Sequence, residues 1–174
     1  ATSVKIVGEN GEVTFPLQRS VAVSALRENV SVSDGSDATS DGKIVRATLR
    51  SKLFGSIDDI RTMNFTPNAA FSLGSVAEAK NVCAKVENFT DSAVEVYVKV
   101  VIDGIVYELG STYLRAGEKK TVRFNLINGA TLDGGGSLQF YVRNVFRSET
   151  GEWELSKDVT LAISDIRVEY ARGE

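Results

Sequence analysis

Residues 93–114, AVEVYVKVVIDGIVYELGSTYL, decide the fold. Val94, Val96, Val98, Val100 and Ile102 alternate with Glu95, Tyr97 and Lys99, the period of two that puts one set on each face of a strand. Asp103-Gly104 interrupts the run before it resumes as IVYELGSTYL. Such a two-residue link takes the positive φ angles whose twist suits antiparallel neighbours, so 93–102 and 105–114 are predicted as a hairpin. A bulge at Gly110 would switch faces within the second strand, which leaves Tyr107 and Tyr113 unassigned.

Alternation recurs on both sides of this hairpin. Upstream lie 81–88 (NVCAKVEN), closed by a turn at 88–92, and 42–50 (GKIVRATLR), which follows the turn-rich SDGSDATSDG. Downstream come 119–126, 137–146 and 159–170, separated by NGATLDGGG and RSETGEWELSKD. An eighth strand is expected between Val4 and Val32, where Leu17, Val21 and Ala25 also fit one helical face. Residues 51–78, with Pro67 and short apolar clusters, read as a long connection holding one minor strand. The pattern predicts an all-β chain, 1–174, folded as one two-sheet antiparallel sandwich.

Composition narrows the function. The 174 residues are 43 % apolar with two prolines, which suits a globular domain able to bury a core. Net charge is −3 with no basic block, so nucleic acid is not an expected partner. The apolar runs are too short for membrane insertion, and no basic-then-apolar leader opens the chain. A soluble piece, already processed or cut from something larger, is expected. Cys83 is the single cysteine, set in an alternating run as a strand residue rather than a nucleophile.

The absence of histidine removes Ser/His/Asp and Cys/His catalysis and the usual zinc sites. Paired-carboxylate or Tyr/Lys/Arg chemistry needs no imidazole. Yet Asp58-Asp59 and the acidic residues of 149–158 lie in apparent loops and read first as solvated surface. DGGGS has no helix behind it and is not a phosphate loop. No catalytic residue is assigned.

The order of DGKIVRATL, NVCAKVENFTDSAVEVYVKV, LRAGEKKTVRFNL and VTLAISDIRVEY resembles the jelly-roll carbohydrate-binding modules attached to bacterial polysaccharide-degrading enzymes, over roughly residues 30–170. The resemblance implies jelly-roll topology, non-catalytic binding of a polysaccharide or oligosaccharide, and a tethered catalytic domain in a secreted or cell-surface protein. In such modules an acidic residue near the start of the last strand helps hold a structural calcium; here Ser164 stands in that place, in Ile163-Ser164-Asp165-Ile166. Asp165, with Glu9 or Asn10, is the candidate metal ligand, against a plain reading as a solvated strand residue.

Jelly-roll topology would set 42–50, 137–146, 93–102 and 105–114 side by side. Glu95, Tyr97, Lys99, Gln139, Tyr141, Arg143, Arg46, Thr48 and Arg50 would then share one outer face. Aromatic planes stack on the C–H face of a sugar, and Arg, Gln and Glu bond its hydroxyls. Tyr97 and Tyr141 are expected to matter most, as exposed rings. The plain alternative is a polar outer sheet face with cross-strand charge pairs. Trp153 is either a stacking residue at the rim or a plug at the sandwich end. Two other function classes stay open: a structural or adhesive surface module, and a lyase or hydrolase.

Overall fold

A computed structural model describes residues 3–8, 11–16, 20–22, 25–33, 35–51, 53–54, 61–65, 79–102, 104–125, 136–142, 145–147, 153–155 and 157–170. The strands in chain order are β1 (Ser3–Gly8), β2 (Gly11–Pro16), β3 (Ser20–Ala22), β4 (Val30–Val32), β5 (Asp37–Ser40), β6 (Ile44–Leu49), β7 (Leu53–Phe54) and β8 (Arg61–Phe65). They continue with β9 (Ala79–Asn88), β10 (Val94–Ile102), β11 (Ile105–Leu114), β12 (Lys119–Asn125), β13 (Gly136–Val142), β14 (Val145–Arg147), β15 (Trp153–Leu155) and β16 (Val159–Tyr170).

Two sheets make the sandwich. One runs β11-β10-β13-β8-β4 and the other β12-β9-β16-β6-β5, with β3 also on β16. Between them lie Val94, Val96, Val98, Phe140, Met63 and Phe65 from the first sheet, against Val45, Leu49, Val86, Leu161 and Ile163 from the second. Phe65 and Phe140 meet edge to face, centroids 5.6 Å apart. Burying each such side chain is worth about 1.5–3 kcal/mol, so the alternating valines both choose the faces and hold the sheets together.

The hairpin read from the sequence is present: Ile102 pairs Ile105, and Gly104 has φ 78°. Asp103 lies outside the described residues. The turn after β9 is fastened by Asn88, fully buried, whose Nδ2 donates to the carbonyls of Ser92 (2.8 Å) and Arg115 (3.0 Å) while its Oδ1 accepts from the Thr90 N–H (2.9 Å).

Jelly-roll neighbours are kept, but two strands take different places from those expected. The strand beside β13 is β8, from the stretch read as a long connection, and β6 instead pairs β16 in the other sheet. Alternation sends Val45, Ala47 and Leu49 inward in either sheet, so it fixes the face and not the neighbour. Met63 and Phe65 carry the one minor strand expected in that stretch, alternating with Thr62 and Asn64 over only five residues. The stretch 137–146 is divided between β13 and β14, and Trp153 begins a short strand paired with Arg147 and Phe54. Its side chain lies outside the described residues.

Two bulges re-aim side chains. In β11, Val98 pairs Gly110 and Lys99 pairs Glu108, which leaves Leu109 as the extra residue. Gly110 takes φ 136°, and a Cβ there would lie 3.5 Å from Phe124 Cδ1. In β16, Asp165 and Ile166 fall between the pairs Ser164–Lys85 and Arg167–Cys83, with Asp165 at φ 49°. That extra residue lets Ile163 and Ile166, three apart, both point into the core.

Candidate functional site

The outer face of the five-stranded sheet is assembled by register. Tyr97 lies opposite Tyr141 on one side and Ser111 on the other; Lys99 lies between Gln139 and Glu108; Glu95 is paired with Tyr113; and Thr62 and Asn64 flank Tyr141 and Gln139. The Tyr97 and Tyr141 rings stack with centroids 5.1 Å apart and planes 18° from parallel. Lys99 Nζ sits 4.9 Å above the Tyr141 ring centroid. The polar groups are interlocked: Glu95 accepts from the Tyr97 hydroxyl (2.9 Å) and from Ser111 Oγ (2.6 Å), and Glu108 accepts from the Tyr141 hydroxyl (2.7 Å).

Exposure separates these rings. Tyr141 is only 4 % exposed, and Gln139, whose Nε2 donates to Asn64 Oδ1 (2.8 Å), is also buried. Tyr113 is 59 % exposed. The expectation of two open rings at Tyr97 and Tyr141 is therefore corrected: Tyr141 is a buried support, Tyr97 is half-buried against it, and the open aromatic surface is Tyr113 on β11. The Gly110 bulge is the cause. It turns Tyr113 outward beside Glu95 while Tyr107, opposite Val100, packs against the core.

Glu95, Tyr97, Lys99, Gln139 and Tyr141 are thus brought together, whereas Arg143 lies outside the described residues. Arg46 and Arg50 are not on this face, since β6 belongs to the other sheet. Arg46 lies over the Phe89 ring, 4.2 Å from its centroid. Arg50 is held by Asp37 (2.9 Å) and Asp158 (2.8 Å), and the Ser51 N–H with that guanidinium holds the Asp158 carboxyl below its ordinary range. Sequence reasoning left Tyr113 unassigned and did not single out Glu108, Ser111 or Asn64. For the first three the signal was Gly110, inside an otherwise alternating strand.

The opposite outer face is built of ion pairs. Arg123 forks onto Glu169 (both contacts 3.0 Å), and this hydrogen bonding, with burial opposing it, holds the Glu169 carboxyl below its ordinary range. Cys83 lies buried beneath the same guanidinium, 3.4 Å from Arg123 Nε, and burial raises its thiol pKa. Asp165 has Lys85 Nζ at 3.2 Å and Arg167 Nε at 3.5 Å. Calcium needs six to eight oxygen ligands. A carboxylate shared between two cations does not fit one, and no cluster of three or more His, Cys, Asp or Glu able to hold a metal occurs among the described residues. Glu9 and Asn10 lie outside them.

No protein-family model matches the chain, and no curated protein matches it in sequence. Solved structures do match in fold. An agarase superposes with a TM-score of 0.60 at 9 % identity, covering 87 % of this chain and 24 % of its own. A family 29 carbohydrate-binding module from Piromyces equi gives 0.52 at 12 % identity, covering 88 % of this chain and 91 % of its own. A variant of such a module, solved with cellulohexaose, gives 0.50 at 9 % identity over 88 % and 92 %. The chain spans about a quarter of the agarase and nearly all of the binding modules, so its fold is the β-sandwich that these carbohydrate-active proteins share.

Proposed function

We propose that this chain is a non-catalytic carbohydrate-binding module that takes a neutral polysaccharide across β10 and β11, with Tyr113 and Tyr97 as the stacking rings. The observation that carries the reading is the open Tyr113 ring opposite Glu95, whose two oxygens already bridge the Tyr97 and Ser111 hydroxyls. A sugar ring laid on Tyr113 meets an apolar plane and a fixed row of hydrogen-bonding groups. Among the described residues Glu95 and Glu108 outnumber Lys99 on this face, which favours an uncharged chain over an acidic one. Tethering to a secreted bacterial enzyme would raise local substrate concentration, a role supported by the share of the agarase that this fold occupies.

Affinity electrophoresis through agarose and through a soluble β-1,4-glucan tests the proposal. Retardation by at least one polymer is expected. Tyr113→Ala should weaken it about tenfold, the scale of one aromatic contact of about 1–1.5 kcal/mol, and Tyr97→Ala should also weaken it. Free migration in a panel of neutral glycans would remove the reading. A second reading, a structural or adhesive module, draws on Ile105 and Val106, 58 % and 48 % exposed on the edge strand β11. Ile105→Lys abolishing self-association or protein contact, with no glycan bound, would favour it.

A further inference from the structure

We infer that the groove at the Asp165 bulge, on the sheet opposite Tyr113, is a second saccharide site that takes chains bearing anionic groups, carboxylates or sulfate esters. The groove encloses about 460 Å³, within the range of about 300–1,000 Å³ typical of small-ligand sites. It is lined by the small residues Ala25 and Gly42 and by Lys43, Lys85, Lys119 and Asp165. Three lysines and one aspartate line it, and with Arg167 on Asp165, Glu87 on Lys119 and Asp41 beside Lys43 the local balance is four cations to three carboxylates, in a chain whose net charge is −3. That excess of positive charge in a concave place is what an anionic substituent needs.

The lysines retain capacity for a ligand. Lys85 holds Asp165 at 3.2 Å and Lys119 holds Glu87 at 3.2 Å, and both are about half exposed. Each ammonium has three donors, so one ion pair leaves others for a ligand oxygen. The Lys43 ammonium makes no hydrogen bond or ion pair within 4 Å among the described residues, while its backbone is fixed by the Asp41 carboxylate, which accepts from the N–H groups of Lys43 and Ile44 at 2.8 Å each. Ile44, 43 % exposed, lines the same groove and offers an apolar surface to a sugar ring. The site depends on backbone geometry at both ends: Gly42 at φ 87° and Asp165 at φ 49°.

The test compares dextran sulfate with dextran by affinity electrophoresis, using the whole chain with Tyr113→Ala and Tyr97→Ala together so that both stacking rings of the neutral face are removed. Dextran sulfate should retard the protein and dextran should not, and the retardation should fall as salt rises. Lys43→Ala should weaken binding about tenfold, the scale of a lost charge-assisted hydrogen bond. Lys43→Arg should restore most of it, and Lys43→Ala with Lys119→Ala should abolish it. Lys43 and Lys119 are exposed, and coincident urea transitions check that the variants fold. No retardation by dextran sulfate, or equal retardation of the lysine variants, overturns the inference. Equally tight binding of duplex DNA at the same salt also overturns it, by showing a surface for any polyanion. Failure here leaves the Tyr113 proposal standing, and the reverse also holds.

Discussion

The two outer faces of the sandwich come from the same alternation yet spend their polar groups differently. On the five-stranded face the carboxylates of Glu95 and Glu108 are held by hydroxyls, and a stacked tyrosine pair lies at the centre. On the six-stranded face carboxylates are held by cations: Glu87 by Lys119, Asp165 by Lys85 and Glu169 by Arg123. Hydroxyl-held carboxylates leave a surface that exchanges hydrogen bonds with other hydroxyls. Cation-held carboxylates leave a surface whose unspent donors are positive. Polarity of an outer face therefore says little about its ligand until the partner of each charge is known.

Tyr141 separates the two faces most strongly. As a ring buried on a nominally outer face, it should behave as core: Tyr141→Ala is expected to cost about 3 kcal/mol in urea denaturation, against less than about 0.5 kcal/mol for the exposed Tyr113→Ala. Equal losses for the two would place Tyr141 in solvent and restore it as a stacking ring.

Gly110→Ala is the next largest effect. Its φ of 136° is rarely taken by an L residue, whereas the new methyl would only reach ordinary contact with Phe124, so a loss of roughly 1–2 kcal/mol is expected from the backbone alone. Glycan binding should fall as well, because the bulge aims Tyr113; full binding by this variant would detach the site from the bulge.

The smallest effect sharpens the other face. Glu169 has its folded pKa lowered below the ordinary 4.5 by Arg123. A lowered carboxyl pKa contributes stability that is full above the unfolded value and lost as pH falls through the folded one. The wild type should therefore exceed Glu169→Gln by a few degrees in Tm near neutrality, and the gap should close as pH drops below about 4.5. A gap that persists unchanged into acid would mean that shape, not charge, sets the role of Glu169.

Much of this molecule was legible in a period of two. Val94 to Val100 and Leu138 to Val142 announced which side chains face the core, the Asp103-Gly104 link announced the hairpin, and the missing histidine closed off most catalysis. Alternation is local, since each strand's pleat fixes its own faces whatever lies beside it. The residues alone thus fixed an all-β sandwich and the inward sets of β6, β10 and β13, while the meeting of Tyr97 with Tyr141 was implied only by the resemblance to jelly-roll modules.

What it could not carry was the choice of neighbour. β6 satisfies its pattern against β16 as well as it would against β13, so only packing of the whole chain moved Arg46 and Arg50 to the other face and gave their place to the short β8. Bulges are equally nonlocal, because one extra residue has meaning only against a partner strand that lacks it. That is why Tyr113 turned outward and Asp165 opened a lysine-lined groove. Both sites were decided by register between strands distant in sequence, and register is a property of the folded sheet.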